Sequence, residues 1–414
     1  MLYVCSNSIR MLKKILLASI PIGRFRLPVA VLLWFLATVG ACIAQLAGGL
    51  PHINNFLIFK YVFHHVHEQQ HLYHNYPDLY FDSNHYGPVF SAVIAPFALL
   101  PVYVGCLLWC LANAVLLYVA IKRMPFSRTQ QHFMLLFLLN DLVTATQNTQ
   151  FNPMLTSWML LALILVQQQK EGWATLFIAL GILTKIYGIV CLSLFFFSSN
   201  KWTFVWSFVL WMIILIVLPM LYSSPSFVLQ CYADWYASLV EKNDINFNSL
   251  MQDMSIMRAI RNMIGVDWPN TVYLGFAAIL TLAPLAQYRK WNQPAFQWLY
   301  LFYVMIGLVI FSSSSESSTY IIAVTGVAGW YVFQDKQNKW LIALVILVLI
   351  FTAMGTTDLF PKSIRNGFIR PYGIKAIPCF FVWLTIFYQL VWSKLPSIPC
   401  AHAEKDQHRR TGLQ

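Results

Sequence analysis

Three stretches gather residue types that can move protons or hold anions. The first is PHINNFLIFKYVFHHVHEQQHLYHNYPDLYFDSNHYGPVF, residues 51–90. Asn54, Asn55, Lys60 and the surrounding aromatics pattern as a surface-lying amphipathic helix, and Asp78 and Asp82 follow a Tyr76-Pro77 turn. Either carboxylate could serve as a general base, or could simply cap a helix or meet solvent. Seven of the ten histidines lie between His52 and His85, and His64, His67, His71 and His74 have the spacing of one helical face. That spacing is compatible with a metal site, yet no cysteine or compact histidine-acid set accompanies it, so metal-independent chemistry is expected.

The second stretch is GILTKIYGIV, where Lys185 interrupts an apolar run. An ionisable group there is costly unless it faces a cavity or a partner, which marks it as a phosphate ligand; the alternative is snorkelling to an interface. Arg258 and Arg261, in MQDMSIMRAIRNM, share one face of any helix and form a second candidate phosphate pair. The third stretch, SSSSESSTY, holds Glu316 as its only charge, a candidate base or ligand for sugar hydroxyls, with helix capping as the competing role. The segment TTDLFPKSIRNGFIRPYGIK adds Lys362, Arg365, Arg370 and Lys375, a local excess of positive charge that a lipid phosphate would explain.

What must position these residues is a membrane bundle. The 414-residue chain is 59% hydrophobic and only 10% charged, with repeated apolar runs. Candidate spans cover 27–49, 102–121, 131–146, 152–168, 172–186, 188–198, 202–222, 271–288, 296–314, 318–334, 339–355 and 373–393. Gly87 to Ile121 is too long for one perpendicular helix and is punctuated by Pro88, Pro96 and Pro101, so a short helix is expected before the true span. Threaded with the N-terminus inside, the chain keeps 18 of its 27 Lys and Arg on the cytoplasmic side, whereas only Glu171, Asp335, Glu404 and Asp406 of its 15 acids fall there. The expected organisation is a basic cytoplasmic segment 1–26, a transmembrane catalytic domain 27–393 with long outer loops 50–86 and 223–270, and a cytoplasmic tail 394–414. The net charge of +12 resides in scattered loop-end residues, which argues against nucleic-acid binding. Of eight cysteines none forms a CxxC pair, so neither disulfides nor thiolate metal sites are expected.

The order of YPDLYFDSNHYGPVFSAVIAPFALLPVYVGCLLW, then QNTQFNPMLTSWMLLALILVQQQKEGWATLFIALGILTKIYGIVCL and KW, resembles glycosyltransferase family 87, the polyprenol-phosphate-mannose-dependent alpha-mannosyltransferases. The resemblance runs from residue 27 to about 390 and is carried by Tyr86 with Pro88, Gln150 with Asn152, and the small-residue helix ending at Lys185. It implies a polytopic, all-α bundle of about twelve helices with a type C glycosyltransferase fold, a lipid-phosphate sugar donor and an outward-facing site. Two departures stand out. Where many members place an Asp-Phe pair after the first span, this chain has Asn54, Asn55 and Phe56, and the region that is Ser-Pro-rich with Trp and His elsewhere reads SSSSESSTY here.

The resulting expectation is a multi-pass cell-membrane enzyme that moves a hexose, mannose first among them, from a polyprenyl-phosphate donor to a glycan or glycolipid acceptor on the outer face. Asp82 is the first choice of base, ahead of Glu316 and Asp78. Lys185, Arg258 and Arg261 would hold the donor phosphate, and Asn54, Asn55, Tyr86, Gln150 and Asn152 would contact substrate. A transporter or flippase of lipid-linked saccharides is the alternative, disfavoured by the lack of inverted repeats; a metal-dependent scaffold is a third reading.

Overall fold

A computed structural model describes residues 14, 16–247, 249, 252–336 and 338–396. The residues expected to form the cytoplasmic tail lie outside it from 397 onward, as does most of the basic segment up to residue 15. The described part of that segment holds one departure from an all-α chain, an antiparallel hairpin of β1 (Ser19–Ile22) and β2 (Phe25–Pro28) turned by Gly23 at φ 58°.

The described chain is otherwise helical. Its apolar helices are α1 (Val29–Ala47), α4 (Val102–Arg123), α7 (Asn152–Gln167), α8 (Glu171–Lys185), α9 (Lys201–Val217), α12 (Asn270–Leu282), α13 (Pro294–Ile310), α14 (Tyr320–Val332), α15 (Lys339–Leu347) and α16 (Ala376–Trp392). Among the described residues three helices, over 29–47, 102–123 and 201–221, are long and apolar enough to cross a bilayer. The shorter ones are broken in recognisable ways. The 131–146 run divides into α5 (Arg128–Phe137) and α6 (Leu139–Gln147), and 188–198 is a 3-10 segment, Tyr187–Phe197. The proline-punctuated stretch forms α3 (Phe90–Ala98), which ends ahead of Pro101 and α4 as its sequence requires. Loop 50–86 contributes α2 (Asn54–Glu68), and 223–270 contributes the 23-residue α10 (Pro225–Phe247) and the short α11 (Ile256–Ile264).

Burial sorts these helices into layers. Almost every side chain of α7, α13 and α14 is buried, including Trp298 and Trp330, because apolar residues surround each helix completely. Gly326 and Gly329 let α14 lie against Phe302 of α13, where a Cβ would collide with its backbone and ring. By contrast α9 exposes Trp202, Trp206, Leu210 and Ile213, a surface suited to lipid and not to water.

Two sequence expectations change here. Helix α2 ends at Glu68 with Gln69 left-handed at φ 58°, so His71 and His74 leave the shared face and stack on each other at 3.6 Å, with His71 3.3 Å from Asp234. Three thiols also come together where spacing along the chain suggested none would: the sulfurs of Cys42 on α1 and of Cys106 and Cys110 on α4 lie within 4.8 Å of one another. Cys106 and Cys110 are one helical turn apart, but Cys42 reaches them only through packing.

Candidate active site

The glycines fix where Lys185 can sit. Helix α8 ends at Lys185; Ile186 adopts a left-handed φ of 52°, and Gly188 then folds back against the backbone of Gly181 so closely that neither could carry a side chain without displacing the other. Gly87 abuts the Leu183 carbonyl in the same way and donates its N–H to Thr184 O at 3.0 Å. The strand of chain bearing Tyr86 is thereby clamped to the end of α8. Lys185 Nζ donates to Asn152 Oδ1 at 2.7 Å and lies 5.7 and 5.1 Å from the Tyr86 and Tyr187 ring centroids. Asn152 donates onward to Ser318 O at 3.0 Å, while Tyr86 OH donates to Gln150 Oε1 at 3.2 Å. Four residues predicted from scattered positions, Tyr86, Gln150, Asn152 and Lys185, thus form one network.

Three cavities meet around this network. An apolar groove of about 740 Å³ runs between Ile186, Tyr187, Ile189 and Val190 on one side and α12 and α13 on the other. It shares Ile186, Tyr187, Ser312 and Ser313 with a central cavity of about 330 Å³ that contains Lys185, Tyr86, Gln150, Asp82, Lys242 and Glu316. The central cavity in turn shares Asn55, Asp82 and Glu316 with a polar chamber of about 520 Å³, which is lined further by Asn148, Gln252, Thr356, Asp358, Arg365 and Arg370. Grease, cation, carboxylate and polar surface follow one another in space, within the size range of ligand sites.

Asp82 stands at the junction of the central cavity and the chamber. Its side chain is 54% exposed, its Oδ1 accepts from Ser83 N at 2.9 Å, and its Oδ2 lies 3.4 Å from Lys242 Nζ. Asp82 itself is left-handed at φ 71°. Asn54 holds that turn from behind, since its side chain both accepts from and donates to the Phe81 backbone at 2.7 Å. Asn54 is therefore a positioning residue, while Asn55 faces both cavities and donates to Asn148 O at 2.9 Å. Glu316 caps the 3-10 turn Ser317–Thr319 reciprocally with Thr319 and also lines both cavities.

Other candidates lie elsewhere. Asp78 is exposed on a turn and lines none of the three cavities. Arg258 spends its guanidinium on the carbonyls of Ser249, Gln252 and Pro371, and Arg261 pairs with the buried Asp253 at 2.6 Å. Neither arginine lines the cavities. They tie α11 to its neighbouring loops.

Lys242, the second cation of the central cavity, went unnoticed in the sequence, and His85 beside it counted only as one of seven clustered histidines, because the places of both depend on α10 docking over loop 50–86. His85 Nδ1 lies 2.8 Å from Ser238 Oγ and its Nε2 3.2 Å from Ser83 Oγ, and Trp235 Nε1 donates to His85 O at 3.0 Å. Burial, with Lys242 close by, pushes the His85 imidazole down to about 4, so it is neutral near pH 7. Asp141 was also missed, although an acid within an apolar run is a signal in itself. Its carboxylate is 1% exposed and has no hydrogen-bond partner among the described residues, and its neighbours Asn140, Val143 and Thr144 line the chamber.

An apolar groove that adjoins a cavity holding a half-buried lysine and carboxylates suits chemistry at a membrane surface. No curated protein matches the chain. The sequence model of Glycosyltransferase family 87 does, over residues 84–314, more than half of the chain, and the chain belongs to that family of membrane glycosyltransferases.

Proposed function

We propose that this protein transfers a hexose, most plainly mannose, from a polyprenyl-phosphate donor to a glycan or lipid acceptor at the outer membrane face, inverting the anomeric carbon, on a type C scaffold of about twelve spans. The reading is carried by one observation: a single cavity holds both a half-buried cation and carboxylates, and adjoins an apolar groove on one side and a polar chamber on the other. The polyprenyl chain lies in the groove between Ile189 and α12. Its phosphate meets Lys185, with Lys242 replacing Arg258 and Arg261 as the second cation, and the sugar lies toward Asp82 and Glu316.

In the reaction Asp82 accepts the proton of the acceptor hydroxyl as the oxygen attacks the anomeric carbon. The bond from that carbon to the phosphate oxygen breaks, and the electron pair leaves with polyprenyl phosphate, which gains one negative charge. Lys185, half-buried between the Tyr86 and Tyr187 rings, faces that developing charge as a fixed cation. Glu316, across the same cavity, faces the oxocarbenium-like sugar. A leaving phosphate needs no proton, so one base suffices.

The test is to incubate purified protein with labelled polyprenyl-phosphate mannose and an acceptor extract, and to follow donor loss and the anomeric configuration of the product. Release of polyprenyl phosphate with an inverted linkage supports the reading. Failure to bind or consume the donor ends it.

A further inference from the structure

The polar chamber has a second charged end that transfer itself does not use. Arg365 and Arg370 belong to a wide turn over Arg365–Ile369 in which Arg370 N donates to Arg365 O at 3.0 Å, and five-residue closure of this kind sets the two side chains on one face. Both line the chamber that Asp82 and Glu316 line. Arg365 bonds Asp358 at 2.6 Å, but that carboxylate is 96% exposed, so its pairing is weak and displaceable. Arg370 donates only to the amide oxygen of Asn366 at 3.1 Å and forms no ion pair among the described residues. The Nε atoms of both arginines are buried without a hydrogen-bond partner there. Two guanidinium groups held this way repel each other, and the Arg370 group is pushed below its usual value by burial and by Arg365. An oxyanion in the chamber would pair with the two guanidinium groups that line it and relieve the repulsion.

We infer that Arg365 and Arg370 form an anion seat for the acceptor, which therefore carries a phosphate or carboxylate group in addition to the hydroxyl that is glycosylated. With the anion at the arginines, the acceptor's hydroxyl end points across the chamber toward Asp82. The exposed Leu359, Ile364 and Phe368 flank the seat and would suit an acceptor anchored in lipid through a phosphate. The other source of the same chemistry is an acidic sugar. This inference rests on the transferase reading above.

The experiment compares three synthetic acceptors with purified protein and a labelled polyprenyl-phosphate hexose: a neutral alkyl glycoside, the same glycoside joined to its alkyl chain through a phosphodiester, and a carboxylated alkyl glycoside. The anionic acceptors should show KM values about tenfold or more below the neutral one. Arg370→Gln should remove that advantage, and Arg370→Lys should restore part of it, which a folding defect would not do. Preference for the phosphodiester assigns a phosphate-bearing lipid, and preference for the carboxylate assigns an acidic sugar. Equal use of neutral and anionic acceptors, or an advantage that survives both Arg365→Gln and Arg370→Gln, overturns the anion seat. Absence of donor consumption with every acceptor and with water overturns the donor reading, and the seat falls with it.

Discussion

The two ends of the site, proposed above to take donor and acceptor, are built in opposite ways. Around Lys185 the backbone is packed against itself, with Gly87, Gly181 and Gly188 touching main chain directly, and Lys185 and Asn152 are both hydrogen-bonded. Around Arg365 and Arg370 the chain is a wide turn, Gly367 has open space about it, and Asp358 lies almost fully exposed. A rigid neck suits one recurring lipid phosphate, whereas a wet and loosely packed chamber can be reshaped for different acceptors without disturbing the chemistry. The family match follows the same division, because it covers Tyr86 through Lys242 and stops at 314, before Glu316 and the arginine turn.

The comparison breaks most sharply at the junction. Asp82→Asn should lower kcat by ~10²-fold or more, with little change in donor binding. Lys185→Met should lower kcat by about 10- to 100-fold and raise the donor KM as well, because on the proposed reading it holds the phosphate both before and after the bond breaks. Both are read from initial rates of labelled product at varied donor. If Glu316→Gln proves more damaging than Asp82→Asn, the base is Glu316 and the Lys242 pair serves only to shape the turn.

Stability should divide along the same line. Gly188→Ala places a Cβ against the Gly181 and Ile182 backbone and should cost about 1–3 kcal/mol, the range for overpacking, whereas Gly367→Ala should be close to neutral. Thermal unfolding in detergent measures both. Equal losses at the two glycines would mean that the acceptor turn is packed as tightly as the neck.

The donor end was legible in the sequence for a physical reason. Lys185 stands out because a charge within an apolar run is expensive, and Tyr86, Gln150 and Asn152 lie in order along the chain with turn residues between them. The apolar segments assigned from the sequence fall on helical stretches, although among the described residues only three helices, over 29–47, 102–123 and 201–221, are long and apolar enough to cross a bilayer. The acceptor end was less legible. Arg365 and Arg370 stood out as a local excess of positive charge that a lipid phosphate would explain, whereas Arg258 and Arg261, the arginines expected to hold the donor phosphate, are engaged by three backbone carbonyls and by Asp253 respectively. Lys242 and Cys42 owe their neighbours to packing between helices far apart in the chain, which periodicity along one helix does not encode.

A pH effect of intermediate size should arise where α10 meets the Asp82 turn. His85 has a folded value near 4 against an ordinary value of 6.5, so between those limits the unfolded chain binds a proton that the folded chain refuses. Stability contributed by neutral His85 is complete above pH 6.5 and is lost as the pH falls toward 4. His85→Gln should flatten this part of the unfolding profile while leaving the profile above pH 7 unchanged in shape. An unaltered acid limb would assign the loss to other groups.

The smallest effect is expected at Asp78, and it tests whether the two aspartates of the first loop act together. They are four residues apart, and a helical turn between them would have aligned both carboxylates for a divalent ion. The chain instead turns after Pro77, reaches Asp82 in a left-handed conformation, and commits the Asp82 carboxylate to Ser83 N and Lys242, while Asp78 faces away from all three cavities. Lys185 and Lys242 already supply two positive charges in the cavity where the phosphate would leave, so a divalent ion has no charge left to neutralise there. Asp78→Ala should therefore change kcat/KM by less than about twofold, the size of an exposed polar contact, and EDTA should leave the rate unchanged. Activity that disappears with EDTA, returns with manganese and falls equally in Asp78→Ala and Asp82→Asn would show that loop 50–86 closes around a metal during turnover and that Asp82 is a ligand, not a lone base.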